Sequence, residues 1–261
     1  MQLSFDILDH IFSFVSDRRI LAICSKDPIL SPIVERHRYY HVIVRIKDGR
    51  WIDPLDLEFE PNQLVKLVSE NPHIRNYVRV LQIESDYHHS EPLPQKDMKQ
   101  WDVFAETLLT FPILESIMFT TEFLPHWPAA FRAALEDRLK LPTVKEVHVR
   151  GHYGPFPFSL LSNCGNIKNL SLSGSFLSKD QVNISTFFQL KSLALLGHFS
   201  SSPLLAWIKL QISLSKLQSL KLWQGDIGLL SELLGLCSTL KTLDIHVKCE
   251  LQASLIAVIL Q

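Results

Sequence analysis

One short apolar phrase recurs through the second half of the chain and limits what that half can fold into. It occurs as Ile167-x-x-Leu170-x-Leu172 and returns with its first residue at positions 190, 217 and 240, so that successive copies lie 23, 27 and 23 residues apart. The last two apolar residues of each copy are two positions apart and therefore point to the same face of a β-strand. A single unit of this length cannot bury that face alone, so neighbouring units must stack and share one core.

Degenerate copies of the phrase extend the array toward the N-terminus. Val78, Leu114 and Val144 begin three of them, which brings the count to seven strand units, and Tyr39-x-x-Val42-x-Val44 fits as an eighth strand at the start. The starts of the three degenerate copies are 36 and 30 residues apart, so the longer units carry insertions.

The segments between the strand phrases are predicted from their composition. We expect a polar loop at 87–95 and a helix over Pro128–Leu139, where alanines are concentrated. Return helices are predicted at Pro203–Leu214 and Leu229–Leu236, and an apolar helix without a following strand at Glu250–Gln261.

The phrase and its period resemble those of leucine-rich repeats, in which every unit contributes one short strand and a return segment. The resemblance implies an α/β fold: a leucine-rich-repeat solenoid with a curved parallel sheet and helices on its convex side. We predict this solenoid over residues 78–261. Its last segment is apolar and not a polar end repeat, so a complete C-terminal cap is expected to be lacking. Residues 45–77 are predicted as a linker, with a hairpin at Asp48-Gly49 and a helix from Pro61 that ends before Pro72.

The N-terminal 44 residues carry a helical pattern ahead of the strand phrase that begins at Tyr39. Ser4 is a suitable N-cap, and a second helix is expected over Arg18–Cys24, with a third short element bounded by Pro28 and Pro32. In the first helix the apolar residues follow helical spacing: Ile7, Leu8, Ile11, Phe12 and Val15.

The segment Leu3-Ser-Phe-Asp-Ile-Leu-Asp-His-Ile-Phe-Ser-Phe-Val15 resembles the opening helix of the F-box, and Ile20-Leu-Ala-Ile-Cys24 resembles its second helix. F-box proteins with leucine-rich repeats are substrate receptors of Skp–cullin–F-box ubiquitin ligases. The resemblance therefore implies two partners beside the cullin ligase core, a Skp-type adaptor and a protein substrate of unknown identity. The residues that it assigns to adaptor binding are Leu3, Ile7, Leu8, Ile11, Phe12, Ile20 and Leu21.

A second interpretation predicts the same fold but a different function. An open end of a stacked array must be covered, so the N-terminal helices can serve as a cap alone. The protein would then be a leucine-rich-repeat interaction scaffold with no link to a ligase.

A partner of the repeats is expected on the outward side of the sheet. Positions three, five and seven of each phrase alternate with the apolar ones and face outward, as do Ser116 and Thr120. Most of these residues fit an ordinary solvated face, but Trp and Arg are enriched among interface hot spots. Trp223 fits a partner contact or packing under a neighbouring loop equally well. The candidate substrate-binding residues are Met118, His148, Arg150, Lys221, Trp223, Asp244 and His246.

Composition and charge argue against several classes of partner. The net charge of −1 offers no electrostatic attraction for nucleic acid or an anionic membrane. No apolar run reaches the length of about 18 residues that a membrane span needs. Four scattered cysteines without a CxxC pair are typical of a reducing compartment, so we expect a cytoplasmic or nuclear protein.

No catalytic pattern stands out in the sequence. Nucleotide-binding glycine motifs, HExxH and GxSxG are absent, and the eleven histidines show no spacing typical of a metal site. Cys164 and Cys237 both lie three residues before a phrase, which favours small buried packing residues over reactive thiols. We therefore expect no enzymatic activity, no cofactor and no metal.

Overall fold

The repeated phrase forms the strands of one parallel sheet. The computed structural model describes residues 4–46, 57–85, 95–120, 127–154, 158–161, 164–176, 189–197, 208, 212–223 and 227–246. Within these residues nine strands follow the order β2-β1-β3-β4-β5-β6-β7-β8-β9. The strands are β1 His41–Ile46, β2 Glu58–Phe59, β3 Val80–Ser85, β4 Ser116–Thr120, β5 Glu146–Gly154, β6 Asn169–Phe176, β7 Ser192–Leu196, β8 Ser219–Trp223 and β9 Thr242–His246. The predicted α/β fold with a parallel sheet is confirmed, and all seven phrases and the additional first one are strands.

Helices occupy much of the chain between the strands. They are α1 Phe5–Ser13, α2 Arg18–Cys24, α3 Ser31–Arg38, α4 Pro61–Glu70, α5 Gln95–Leu108, α6 Ala129–Leu139 and α7 Ile227–Leu236. The helices expected from Pro61, over Pro128–Leu139 and over Leu229–Leu236 are confirmed as α4, α6 and α7. Helix α5 was not predicted. The hairpin at Asp48-Gly49, most of Pro203–Leu214 and the helix at 250–261 lie outside the described residues.

The chain divides into two compact units, each of which is described by itself. The first comprises Met1–Ile117 and His126–Arg138, and the second comprises Met118–Pro125 and Leu139–Gln261. The first contains the six helices α1 to α6 almost entirely, together with β1 to β3. The second contains β5 to β9 and α7.

Backbone hydrogen bonds at the second position of the phrase link successive repeats. In the second unit, the carbonyl of Lys145 accepts from the N–H groups of Lys168 and Asn169 at 2.8 and 3.0 Å. The carbonyl of Lys168 accepts in the same way from Lys191 and Ser192 at 2.7 and 3.1 Å. The pattern is repeated by Lys191 and again by Gln218, and in the first unit by Tyr40 and Arg79. The strands that these bonds join, β1, β3 and β4 in the first unit and β5 to β9 in the second, therefore begin in matching register.

The apolar residues of the phrase form the core, as their alternation predicts. The first position is buried in Val78, Leu114, Val144, Ile167, Leu190 and Leu217. Across β6, β7 and β8, Leu170 pairs with Leu193 and Leu193 with Leu220, and all three are buried. Their counterpart in β9, Leu243, is 38 % exposed, so β9 is the least covered strand of this ladder.

The three N-terminal helices enclose a small core of their own. Phe12, Leu21, Ile33 and Val34 are buried there, and the partly buried side chains Leu8, Val15, Cys24 and Leu30 pack against them. As predicted, Ser4 caps α1, accepting a hydrogen bond from the N–H of Ile7 at 3.4 Å. The Asp17 carboxylate caps α2 by accepting from the N–H of Arg19 at 2.8 Å.

Aromatic packing joins α5 to α6 within the first unit. The rings of Trp101 on α5 and Phe131 on α6 have centroids 4.6 Å apart, and both side chains are buried. Phe104 and Trp127 complete this cluster, with centroids 5.8 and 4.9 Å from that of Phe131. Burial of four large rings makes this packing a major source of stability for the first unit.

A series of polar side-chain contacts connects the N-terminal helices to the sheet. Arg18 on α2 lies 3.4 Å from Nδ1 of His41 on β1, whose Nε2 lies 3.1 Å from Oε1 of Gln82 on β3. Burial and then the charge of Arg18 lower the pKa of His41 from its ordinary value, while the hydrogen bond with Gln82 and the charge of Glu84 oppose this shift. His41 is therefore held as the neutral imidazole that accepts from the guanidinium.

Three consecutive repeats have glycine at the eighth position, counted from the first residue of the phrase. Gly151 and Gly174 are paired between β5 and β6, and Gly197 follows β7. Gly174 and Gly197 have φ values of 112° and 150°. A Cβ on Gly174 would collide with the carbonyl of Gly151, and a Cβ on Gly197 would collide with the carbonyl of Gly174. These positions combine left-handed backbone with close approach, and both features require glycine.

The close approach of these glycines predicts that two glycine-to-alanine substitutions in the second compact unit change the stability differently. We expect Gly174→Ala to lower the free energy of unfolding by about 3 kcal/mol or more, because the new Cβ meets the Gly151 backbone at a positive φ. Gly235→Ala is the matched control, since no atom lies within 4 Å of its Cβ position in α7. It should be neutral or stabilising by up to about 1 kcal/mol. Urea denaturation measures both, and equal effects would contradict the steric argument.

A second prediction concerns acid stability. Because the pKa of His41 is lowered in the folded protein, the unfolded chain takes up this proton more readily. The contribution of His41 to stability is therefore present above the ordinary histidine value of about 6.5 and is lost as the pH falls below it. Thermal melts from pH 7.5 to 5 should show a smaller loss for His41→Gln than for the wild type. The control His10→Gln, at an exposed position of α1, should leave the loss unchanged.

Candidate functional site

The first candidate surface is a set of large apolar side chains that the N-terminal helices leave uncovered. We call it the N-terminal apolar surface. It consists of Phe5, Ile7, Ile11 and Phe14 along α1, of Ile20 and Ile23 on α2, and of Ile29 in the turn before α3. Phe14, Ile23 and Ile29 are 74 %, 67 % and 65 % exposed. Scattered apolar residues are ordinary at a protein surface, but seven within 25 residues are typical of a protein-binding region.

The reason for this exposure is that α1 carries two apolar stripes. Leu8, Phe12 and Val15 have the spacing i, i+4, i+7 and face the three-helix core. The spacing of Ile7, Ile11 and Phe14 is the same and lies one residue, or about 100°, earlier around the helix. One small core covers only one of two such stripes, so the other remains exposed to solvent. The exposed stripe ends in an edge-to-face contact between Phe14 and His10, with centroids 4.8 Å apart.

The residues predicted to bind an adaptor fall into three groups. Ile7, Ile11 and Ile20 are 48 %, 46 % and 47 % exposed and are available to a partner. Phe12 and Leu21 are buried, which corrects their assignment as contact residues: they lie on the stripes that fill the core. Leu8 is partly buried against that core, and Leu3 lies outside the described residues.

The structure adds four residues that the sequence prediction left out. Phe5, Phe14, Ile23 and Ile29 are at least as exposed as Ile7, Ile11 and Ile20. The signal for Phe14 was available, because it continues the spacing of Ile7 and Ile11. Ile29 lies in the turn between helices, where no periodicity indicates which side a residue faces.

The second candidate surface lies on the outward side of the sheet in the second unit. Register pairs Lys221 of β8 with Asp244 of β9, and Trp223 with His246, and we call these four residues the β8–β9 cluster. Nζ of Lys221 lies 2.8 Å from Oδ2 of Asp244, and Nε2 of His246 lies 3.4 Å from Oδ1 of the same carboxylate. Four predicted residues are thus brought together by the pairing of two strands.

The aromatic ring of Trp223 is the centre of this cluster. It is 45 % exposed, contacts the His246 ring edge to face at a centroid distance of 5.1 Å, and lies 5.7 Å from Nζ of Lys221. The hydrogen bond from Lys221 is the largest cause that lowers the pKa of Asp244. Burial opposes it, and the charges of Lys221 and His246 lower the pKa further. The cluster therefore offers a partner an ammonium group, a carboxylate and an accessible indole on a rigid support.

The other predicted sheet residues are placed less uniformly. His148 lies 2.9 Å from the Glu146 carboxylate on β5, and Arg150 is exposed on the same strand. Met118 is half-buried. Ser116 and Thr120 are buried, which corrects the expectation that they face solvent. Neighbouring atoms cover both side chains, although their positions in the phrase are outward ones.

Both surfaces are suited to binding partners by contact. Across the described ranges, no group of three or more His, Cys, Asp or Glu side chains is arranged to hold a metal ion. None of the helices assigned in those ranges has both the length and the apolar character needed to cross a bilayer.

The β8–β9 cluster predicts the titration of one carboxylate. We expect Asp244 to titrate below the ordinary aspartate value of about 3.9, since Lys221 favours its ionised form. Lys221→Gln should raise its midpoint, while Lys241→Gln, which removes an exposed lysine beside the same strand, should leave it in place. Carboxyl NMR shifts followed from pH 6 to 2 measure all three. An unchanged midpoint in Lys221→Gln would rule out the ion pair in solution.

No protein-family model matches the chain, and no curated protein is significantly similar to it in sequence.

Proposed function

We propose that the protein is an F-box-type substrate receptor, in which the N-terminal apolar surface docks a Skp-type adaptor and the repeats hold a protein substrate. The observation that carries the proposal is the uncovered second stripe of α1. A helix that served as a cap alone would gain stability from polar residues there, yet Ile7, Ile11 and Phe14 expose large apolar areas to water. The resemblance of this segment to the F-box supplies the class of partner.

The N-terminal helices are also attached in a way that suits a receptor. They belong to the same compact unit as β1 and β3, and the contacts Arg18–His41 and His41–Gln82 join α2 to both strands. A protein bound to α1 and α2 would thus be fixed relative to the first strands. In this proposal the chain performs no chemistry: it raises the local concentration of substrate near the cullin ligase core, where other subunits transfer ubiquitin.

The proposal assigns the β8–β9 cluster to the substrate. Exposed Trp with neighbouring charged groups is a frequent anchor of protein interfaces. The leucine-rich-repeat assignment belongs to this proposal as well, supported by the phrase, its period and the parallel register of its strands. A cytoplasmic or nuclear location follows from the ligase role.

Co-purification with a Skp-type adaptor tests the proposal directly. We expect the full chain to retain the adaptor and the double variant Ile7→Ser/Ile11→Ser to lose at least about 90 % of it, because both residues contribute apolar contact area. Their half-exposed positions leave the three-helix core intact, so circular dichroism and the melting temperature should change little.

The matched control is Val103→Ser, which removes a similarly exposed apolar side chain (48 %) from α5 of the same unit. It should retain the adaptor. If the folded wild-type chain binds no adaptor, the ligase role is excluded and the interaction scaffold with helices as a cap becomes the better interpretation. Equal losses in the control and the double variant would point to nonspecific adhesion.

A further inference from the structure

A cavity in the first unit has a chemistry that neither proposed surface uses. It has a volume of about 400 Å³ and lies where the end of α1, the end of α3 and the start of β3 meet. We infer that this cavity is a binding site for a small organic anion, one with a single phosphate or carboxylate head and an apolar body. The inference does not rest on adaptor binding.

The apolar part of the cavity comes from α1 and the residue that follows it. Phe12 and Val15 line it, on the side of their rings and methyl groups that the three-helix core leaves open. Tyr77 adds an aromatic ring, which packs edge to face on His73 with centroids 5.8 Å apart. The Tyr77 hydroxyl makes no hydrogen bond within the described part of the chain, so it is available as a donor.

The polar side chains that line the cavity include three that can carry a positive charge, beside the hydroxyls of Ser13, Tyr40 and Tyr77. Arg36 and His37 come from the last turn of α3, and Arg79 from the residue before β3. The carboxylates that pair with them, Asp9 and Glu115, are not part of the lining. Among the described residues, the lining therefore contains no carboxylate side chain.

The donor side chains have partners that position them, but some of their N–H groups remain available. Nε of Arg79 lies 3.3 Å from the Glu115 carboxylate and its Nη1 donates to the Asn76 carbonyl at 2.7 Å, which leaves Nη2 without a bond in the described residues. Arg36 makes one ion pair there, from Nη1 to Asp9 at 3.5 Å, and its side chain is 54 % exposed. His37 is fixed by Asp9 at 2.9 Å. Guanidinium groups with spare N–H donors are suited to binding phosphate or carboxylate oxygens.

Size and composition restrict the ligand further. Cavities of about 300–1,000 Å³ accept small organic molecules, so this one is near the lower end of that range. The combination of an apolar wall with cationic donors excludes a bare inorganic anion as the best ligand, because such an ion would leave the apolar wall unused. It also disfavours a neutral apolar molecule, which would bury the arginine donors without a partner.

The test uses the full chain and four probes: phenyl phosphate, phenylacetate, inorganic phosphate and benzyl alcohol. Binding is measured by isothermal titration calorimetry and by ligand-observed NMR. We expect phenyl phosphate or phenylacetate to bind at least about tenfold more tightly than inorganic phosphate and benzyl alcohol, since only they use both parts of the cavity. Binding of inorganic phosphate or benzyl alcohol as tight as that of the better aryl anion, or no binding of either aryl anion, would overturn the inference.

Three variants locate the bound anion. Arg36→Gln should weaken it about tenfold by removing a charge-assisted hydrogen bond. Ser13→Trp should abolish binding, because this exposed residue lines the cavity and a larger side chain there fills it without disturbing the core. Arg132→Gln, which removes an exposed arginine from α6 of the same unit, should bind as the wild type does.

Melting temperatures show whether each variant is folded. A folded Ser13→Trp that binds as well as the wild type would place the anion elsewhere and refute the inference. The same conclusion would follow if Arg132→Gln lost as much affinity as Arg36→Gln. If Ser13→Trp does not fold, Arg36→Gln against Arg132→Gln decides alone.

Discussion

The backbone link at the second position of each phrase is the constraint on which the rest of the sheet depends. One carbonyl, such as that of Lys168, accepts the N–H groups of two successive residues in the next unit, here Lys191 and Ser192. In the strands joined this way, β1, β3 and β4 and then β5 to β9, it sets the start to the same residue of the phrase. Because strand side chains alternate, a shift of one residue would turn Leu193 and Leu195 out to solvent and Ser192 and Ala194 into the core. The fixed start thus decides which residues are core and which are available for binding.

The same register produces the candidate binding cluster. Lys221 and Asp244, like Trp223 and His246, hold identical places in consecutive phrases, and parallel pairing without offset brings them side by side. By contrast, the N-terminal apolar surface arises because one small core must accommodate a helix with two apolar stripes. The two surfaces therefore have different physical origins: stacking in one, and incomplete coverage in the other.

Much of the fold could be predicted because the phrase states a period and a face at the same time. The strands from β3 to β9 and the helices α1, α2, α4, α6 and α7 lie where spacing and capping residues indicate them. Helix α5 is not predicted, although Trp101, Phe104, Ala105 and Leu108 have helical spacing, because the strand phrase carries no information about the segments between its copies.

The candidate site was predicted less completely, for a physical reason. Spacing along α1 shows that Ile7 and Leu8 belong to two different stripes, but it does not show which stripe meets α3. That choice depends on tertiary packing around Ile33 and Val34, so the burial of Phe12 does not follow from the sequence. Similarly, alternation along β4 places Ser116 on the outward side, but its burial depends on neighbouring parts of the fold that alternation does not describe. The cavity beside Arg36 and Arg79 combines residues from three separate elements, and nothing in their spacing indicates that they meet.

The glycine column has a consequence for how such an array can grow by duplication. Because they lack a Cβ, two of these glycines can approach the carbonyl of the preceding repeat closely. Gly174 approaches the carbonyl of Gly151, and Gly197 approaches that of Gly174. The corresponding residues of the last two units are Gln224 and Val247. A new repeat stacked on the one that carries Gly174 would need glycine at its own eighth position to repeat the approach that Gly197 makes. The apolar phrase alone is therefore not enough to extend the array in this geometry.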